Sequence, residues 1–272
     1  MDDKIVAIYC LCADILDALG HVEDPQQRMR DAEVITTGLV AMLCLRSNFE
    51  AARTLLSTSR YMPRMLSRSR VNRRLHRLAD LFLTFFELLG HTWKQLNPDA
   101  IYSIDSFPIA VCDNYRIPRV KLYKGEAYRG DIASKQRYFY GLNVHLMVAQ
   151  EGQPVECFLT LGSYSDVRAL KTFAFDVPRA SHIYADRAYN DYEMEDVRFE
   201  AVKIHLSPIR KKNSKRTLPR YMAYVQHYYR KRIETVGSLL ERMLPKTMHA
   251  VTAEGFELNV FLLVLSYSIN CL

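Results

Sequence analysis

Three carboxylates stand in apolar surroundings far apart in the chain. Asp105 ends Ile101-Tyr102-Ser103-Ile104-Asp105, Asp186 ends Ile183-Tyr184-Ala185-Asp186, and Glu234 lies in Arg232-Ile233-Glu234-Thr235. A carboxylate is costly to bury unless something cationic pairs with it. One economical account is that all three converge on divalent metal. Hard oxygen ligands suit Mg²⁺ or Mn²⁺, and a pair of such ions drives phosphodiester cleavage. Each residue also has a plainer reading. Asp105 fits a turn or strand end beside Pro108, Asp186 a turn or helix cap, and Glu234 a solvated charge paired with Arg230 one helical turn earlier.

The elements that must position these groups follow from periodicity. Residues 1–97 read as helical. Ile5, Ile8, Cys12, Ile15, Leu16 and Leu19 recur at helix spacing, and Gly20 ends that run. Further helices are expected over 31–45 with Asp31 as N-cap, over 48–56 with Asn48 as cap, and in one long stretch from Ser67 or Ser69 to Gln95. Asn97-Pro98 closes the segment. Strands are then expected over 100–111, 138–149, 155–161, 182–186 and 202–206. Helices at 165–175 and 191–200 separate the later strands. Hairpin-linked strands followed by alternating helix and strand predict one mixed sheet with crossover helices. Asp186 then falls at a strand's carboxyl end, where ligand sites of such sheets gather. The last third returns to helix, over 219–245 and 254–269, and the first of these carries Glu234. The expected division is a helical N-terminal domain, 1–97, and a catalytic domain with a C-terminal helix, 98–272.

The 272 residues carry a formal net charge of +7. That balance favours an anionic partner, most often nucleic acid. Six cysteines are scattered through apolar stretches without a C-x-x-C pair or a zinc cluster, which suits reduced core thiols in a cytosolic protein. The N-terminal Met1-Asp2-Asp3-Lys4 lacks a signal-peptide charge pattern. The longest apolar run, Val260 to Leu265, falls short of the ~20 residues a membrane span needs. No G-x-x-x-x-G-K-[ST] is present, which argues against a phosphate-loop NTPase.

Basic residues cluster in three places. Arg60, Arg64, Arg68, Arg70, Arg73, Arg74 and Arg77 crowd one stretch with Asn72 and no acid among them. Short helices, a break and an Arg/Asn-rich helix start fit a helix-turn-helix reader of the major groove. Between Arg116 and Arg137, the residues Lys121, Lys124, Arg129, Lys135 and Arg137 alternate with Tyr115, Tyr123 and Tyr128. That mixture suits backbone contact with stacking on unpaired bases. Lys211 and Lys212 stand in a third basic loop. His145, on the strand expected beside the one bearing Asp105, is a secondary candidate for contact with a phosphate or an attacking water. A satisfied sheet histidine is the plainer reading.

Taken as an ordered set, the segments Tyr102-Ser103-Ile104-Asp105-Ser106-Phe107-Pro108, Tyr138-Phe139-Tyr140-Gly141-Leu142-Asn143-Val144-His145, Ala185-Asp186-Arg187-Ala188-Tyr189 and Arg230-Lys231-Arg232-Ile233-Glu234 resemble the DDE transposases of bacterial insertion sequences. The resemblance covers roughly residues 98–245. It implies a ribonuclease-H-like α/β fold with a mixed five-stranded sheet flanked by helices, preceded by the helical DNA-binding domain. It also implies two Mg²⁺ or Mn²⁺ ions per active site, bridged by Asp105 and Asp186, with Glu234 holding one of them. The activity it implies is cleavage of transposon ends and transfer of the freed 3′-hydroxyl strand into target DNA. Many such enzymes carry a Tyr, Arg, Glu, Lys signature on the last helix. Arg230 and Glu234 match it, whereas His227 and Glu241 stand at the Tyr and Lys positions, with Tyr228 and Arg242 one residue away. The implied partners are double-stranded DNA and a second copy of the chain on that DNA, with no membrane, in a bacterial cytosol. A ribonuclease-H-like endonuclease without strand transfer, and a non-catalytic DNA-binding regulator using residues 1–97 alone, are the alternative functions.

Overall fold

The computed structural model describes residues 2–58, 61–132, 136–211, 213–245, 248 and 250–272. Its contacts divide the chain into two compact units. Leu89–Leu239 form one, and Met1–Leu88 with Leu240–Leu272 form the other.

The first unit is built on a mixed sheet. Strand β1 (Ile101–Cys112) is central. It runs antiparallel to β3 (Arg137–Ala149) from Tyr102↔Ala149 to Ala110↔Gly141. On its other edge it runs parallel to β5 (His182–Ala185), which is parallel to β6 (His205–Pro208). Strand β4 (Pro154–Leu161) pairs antiparallel with the far edge of β3. The expected strands are therefore all present, although the last sits three residues later than the sequence pattern suggested. A short additional strand, β2 (Arg129–Ile132), pairs with the first residues of β3. No alternation marks it, because its four residues Arg-Gly-Asp-Ile carry no apolar face.

Strands β2 and β4 follow one another along the same edge of β3, and glycines allow close backbone approach here, Gly141 towards β1 and Gly130 towards the residue after β4. A Cβ on Gly141 would lie 2.0 Å from the Ile109 carbonyl oxygen, and one on Gly130 would lie 2.3 Å from that of Gly162. The core of this unit includes Tyr102, Ile104, Val144, Leu146, Ile183 and Ala185. Apolar residues on both faces of β1 and β5 fit central strands covered on each side. The connection from β5 to β6 is the helix α7 (Tyr192–Val202), capped by Asp191, whose side chain accepts from the Met194 amide. Helix α6 (Asp166–Thr172) precedes β5. Ser165 caps it, accepting from the Arg168 amide at 3.3 Å.

The second unit is helical: α1 (Asp2–Ala18), α2 (Asp31–Leu45), α3 (Phe49–Thr58), α4 (Arg68–Arg77), most of α5 (Ala79–Gln95), and α9 (Ala253–Asn270). Helices α2 and α9 are buried almost all round, as befits the centre of a helical core. Two sequence expectations are corrected. The stretch 67–95 is two helices, because Leu78 departs from helical geometry at φ −94°, ψ 11°. The N-cap of α2 is Arg30, not Asp31. Asp31 turns inward to meet Arg74 and His21. Asn48 does cap α3, accepting from the Ala51 amide at 3.0 Å. Among the described residues, no helix is long and apolar enough to cross a membrane.

Candidate active site

The parallel register of β1 and β5 sets two of the carboxylates side by side. Ile104 is opposite Ala185, so Asp105 and Asp186 are the next residues along adjacent chains. Strand β5 ends there, and Asp186 opens a short 3-10 turn by accepting from the Arg187 amide at 2.6 Å. Strand β1 continues, with Asp105 accepting from the Ser106 amide at 2.8 Å. The plainer reading of Asp186 as a turn cap is thus also true. One carboxylate oxygen makes the cap, and a carboxylate has acceptor capacity to spare.

The third carboxylate arrives on α8 (Arg220–Met243). Ser103, Tyr184 and Ser207 form one row across β1, β5 and β6, and α8 is tied to each of them. Ser103 Oγ donates to the Tyr229 carbonyl at 3.2 Å. The Tyr184 and Tyr229 rings stack with centroids 5.0 Å apart. Gln226 Nε2 donates to the Ser207 carbonyl at 3.2 Å. Ile233, buried on α8, continues that sheet-facing side. Arg230 follows Tyr229 directly, and Glu234 comes one turn later.

Arg230 is where the three acids meet. Its Nη1 lies 3.3 Å from Asp186, and its Nη2 lies 3.1 Å from Glu234 and 4.0 Å from Asp105. Only 15% of its side chain is accessible. The donor chemistry fits a hard divalent ion: three carboxylates already gathered about one cationic group, with Asp105 on the central strand beside Asp186, which directly follows the end of β5. Among the described residues, no three His, Cys, Asp or Glu side chains stand close enough together to hold a metal as they are placed. The guanidinium occupies the space between them.

The electrostatics are those of a crowded acidic site. Asp105 keeps 30% of its side chain accessible, yet burial among its neighbours pushes its carboxyl up to about 6. The nearby Asp186 and Asp166 charges push the same way, against the Ser106 amide and Arg230. Asp166 is also raised, chiefly by burial and then by Asp186. Its Oδ1 accepts from Ser106 Oγ at 2.6 Å. The Tyr189 hydroxyl, fully buried and raised well above its ordinary range by burial, lies against the same acids. Asp166, Ser106 and Tyr189 thus join the acid cluster through contacts made in the fold. No local signal marks them, since Ser106 and Asp166 are 60 residues apart.

His145 does lie beside β1, opposite Ser106, but it is completely buried. Its Nδ1 is 3.0 Å from the Tyr189 hydroxyl and its Nε2 is 3.0 Å from Thr160 Oγ1. Its ring stacks on Phe158 at 4.6 Å. Burial pushes its pKa down to about 4. Both ring nitrogens are engaged, so the expected contact with a phosphate or attacking water has no route in this arrangement.

The basic residues separate by exposure. Arg68, Arg70, Asn72, Arg73 and Arg77 are exposed on α4, opposite the buried Val71 and Leu75. Arg74 is not among them. Its guanidinium bonds Asp31, Gln27 and the Met29 carbonyl with 13% of the side chain accessible, which removes it from a DNA-facing set. Residues 59–67 join α3 to α4, longer than the three or four residues of a helix-turn-helix turn. Lys121, Lys124, Arg129, Arg137 and Lys211 are exposed, and Arg129 pairs with Glu126 at 3.4 Å. Lys135, Lys212 and Arg60 lie outside the described residues.

A mixed sheet of order β4-β3-β1-β5-β6 with helices is that of a ribonuclease-H-like protein. Its acids stand on the central strand, after the neighbouring parallel strand, and on a later helix. The family model described as "Transposase DDE domain" matches residues 95–250, and the chain belongs to that family. Neither the curated proteins nor the solved structures contain a match to this chain.

Proposed function

We propose that this chain is the transposase of a bacterial insertion sequence. In this reading it cleaves the ends of its own element and transfers the freed 3′-hydroxyl strand into target DNA. The observation that carries the reading is the meeting of Asp105, Asp186 and Glu234 at one guanidinium.

Asp105, Asp186 and Glu234 are the catalytic residues and the metal ligands in this reading. Asp105, Asp186 and Glu234 would hold the Mg²⁺ or Mn²⁺ ions. When bound, the ions supply the Lewis acidity that activates an attacking oxygen and neutralises the leaving one. The chain's own part is positioning. The Ser106 amide holds one oxygen of Asp105 and the Arg187 amide one oxygen of Asp186, which orients both carboxylates. The links from α8 to Ser103, Tyr184 and Ser207 tether the helix that carries Glu234 to the sheet that carries Asp105 and Asp186.

The DNA-binding set in this reading is Arg68, Arg70, Asn72, Arg73 and Arg77 within the helical region 1–97, and Lys121, Lys124, Arg129, Arg137, Lys211 and Arg230 within the catalytic region 98–272. The chain acts in the cytosol as a homodimer on DNA, because joining two element ends requires two active sites. The test is a labelled duplex bearing a candidate element end, incubated with the full chain in Mg²⁺ or Mn²⁺, with nicks mapped. A pre-cut 3′-hydroxyl end is then supplied with a target plasmid. Joined product supports the transposase. Nicking without joining leaves an endonuclease, and binding without either leaves a DNA-binding regulator.

A further inference from the structure

We infer that Arg230 is the internal counter-cation of the metal-free site, and that its guanidinium must leave the carboxylates for a divalent ion to enter. The inference rests on the metal-site reading above. It concerns what this chain does before it binds metal.

Each guanidinium nitrogen facing the site is used. Nη1 serves Asp186, and Nη2 lies between Glu234 and Asp105. A planar fork can span three acids in this way, whereas a point charge on a lysine stem cannot. Three carboxylates this close repel one another unless a cation stands between them. Among the described residues, the acids are not close enough together to ligate directly. Drawing them to the ~2.1 Å that Mg²⁺ requires leaves no room for the guanidinium. Arginine and metal are therefore alternative occupants, and each weakens the other's hold.

The arrangement also holds Arg230 incompletely. Its Nε is buried and, among the described residues, lacks a hydrogen-bond partner, so one donor goes unused there while Arg230 faces the acids. A buried polar group in that state favours release to any anion that satisfies it. The site so built resists stray metal and opens when enough divalent ion is present.

The test is Mn²⁺ binding to the full chain without DNA, followed by the electron paramagnetic resonance signal of free Mn²⁺. Wild type is compared with Arg230→Gln and Arg230→Lys. Competition predicts Mn²⁺ binding at least about five-fold tighter in Arg230→Gln, the lower end of coupling between exclusive occupants. It predicts an intermediate value for Arg230→Lys. A merely structural arginine would leave the affinity unchanged or weaken it, and either result overturns the inference. Should Arg230→Gln fail to fold in EDTA, Mn²⁺ should restore its folding by replacing the missing cation. Failure to restore would count against exchange. The Asp186→Asn variant separates this inference from the reading beneath it. Mn²⁺ binding that is lost in Asp186→Asn, yet equal in wild type and Arg230→Gln, rejects only the role of Arg230. Mn²⁺ binding unaffected by Asp186→Asn rejects the metal site itself, and the role of Arg230 with it.

Discussion

Replacing Asp105 with Asn should stabilise the metal-free protein, in a pH-dependent way. The carboxyl of Asp105 sits at about 6 rather than at the ordinary 3.8, chiefly through burial. Below pH 4 it is protonated whether the chain is folded or unfolded, and makes no difference. Between pH 4 and pH 6 the unfolded chain ionises it while the folded chain resists, so stability falls as pH rises. Above pH 6 the full penalty is present. The interval from 3.8 to about 6 corresponds to about 3 kcal/mol. Solvent screening of a side chain that is 30% accessible lowers that to about 1–2 kcal/mol. Asparagine keeps an oxygen for the Ser106 amide and sheds the charge. In EDTA, thermal melts of Asp105→Asn against wild type should therefore coincide near pH 4. They should separate by several degrees in favour of the variant near pH 8. Saturating Mg²⁺ should reverse the order, since only wild type gains from metal binding. A variant less stable than wild type at pH 8 in EDTA would refute the reasoning. It would mean that attraction to Arg230 outweighs burial and repulsion from Asp186 and Asp166.

Three other perturbations read different parts of the molecule. Burial holds His145 at about 4, below its ordinary 6.5, so the unfolded chain takes up its proton first as pH drops. Its contribution to stability is present above pH 6.5 and is lost towards pH 4. His145→Gln should flatten that acid loss in urea titrations at pH 4.5 and 7. Arg74→Ala removes one partner of a nearly buried pair with Asp31. It should cost about 3–5 kcal/mol of stability, whereas Arg70→Ala and Arg73→Ala should leave melting unchanged and weaken DNA binding, with a shallower salt dependence. Gly141→Ala would force a Cβ to within 2.0 Å of the Ile109 carbonyl. Loss of about 1–3 kcal/mol in chemical denaturation is expected, with the β1–β3 amides around Ile109 losing protection first in hydrogen exchange.

Much of the architecture was readable from periodicity because each long element buries one recognisable face. Strand β3 alternates, and β5 is a short apolar run between turns. On α8, Ile233 and Val236 recur at helix spacing and both are buried. The short strand β2 escaped, since its fit depends on Gly130, whose value is tertiary clearance, not local preference. The break at Leu78 escaped for a similar reason, because apolar spacing continues through it from Leu75 to Phe82. Of the site, the three acids were legible because an acid amid apolar residues asks for a partner. The pairing of Glu234 with Arg230 was legible too and is present at 3.1 Å, whereas the reach of the same guanidinium to Asp186 and Asp105 was not, since those acids are far from it in sequence. Arg74 and His145 show the limit of such reading. Both are types that often meet a phosphate, and both are engaged inside the fold. Residue type reveals a chemical capacity, while burial and partners decide how it is used.

The most direct test of the account is diffraction from crystals of the full chain soaked in Mn²⁺, recorded at the manganese absorption edge. The account predicts an anomalous peak bonded at about 2.1 Å to both Asp105 and Asp186, with Arg230 turned out of the site. Manganese bound elsewhere, or those two carboxylates still paired with Arg230 in crystals of a protein that cleaves DNA in Mn²⁺, would contradict it.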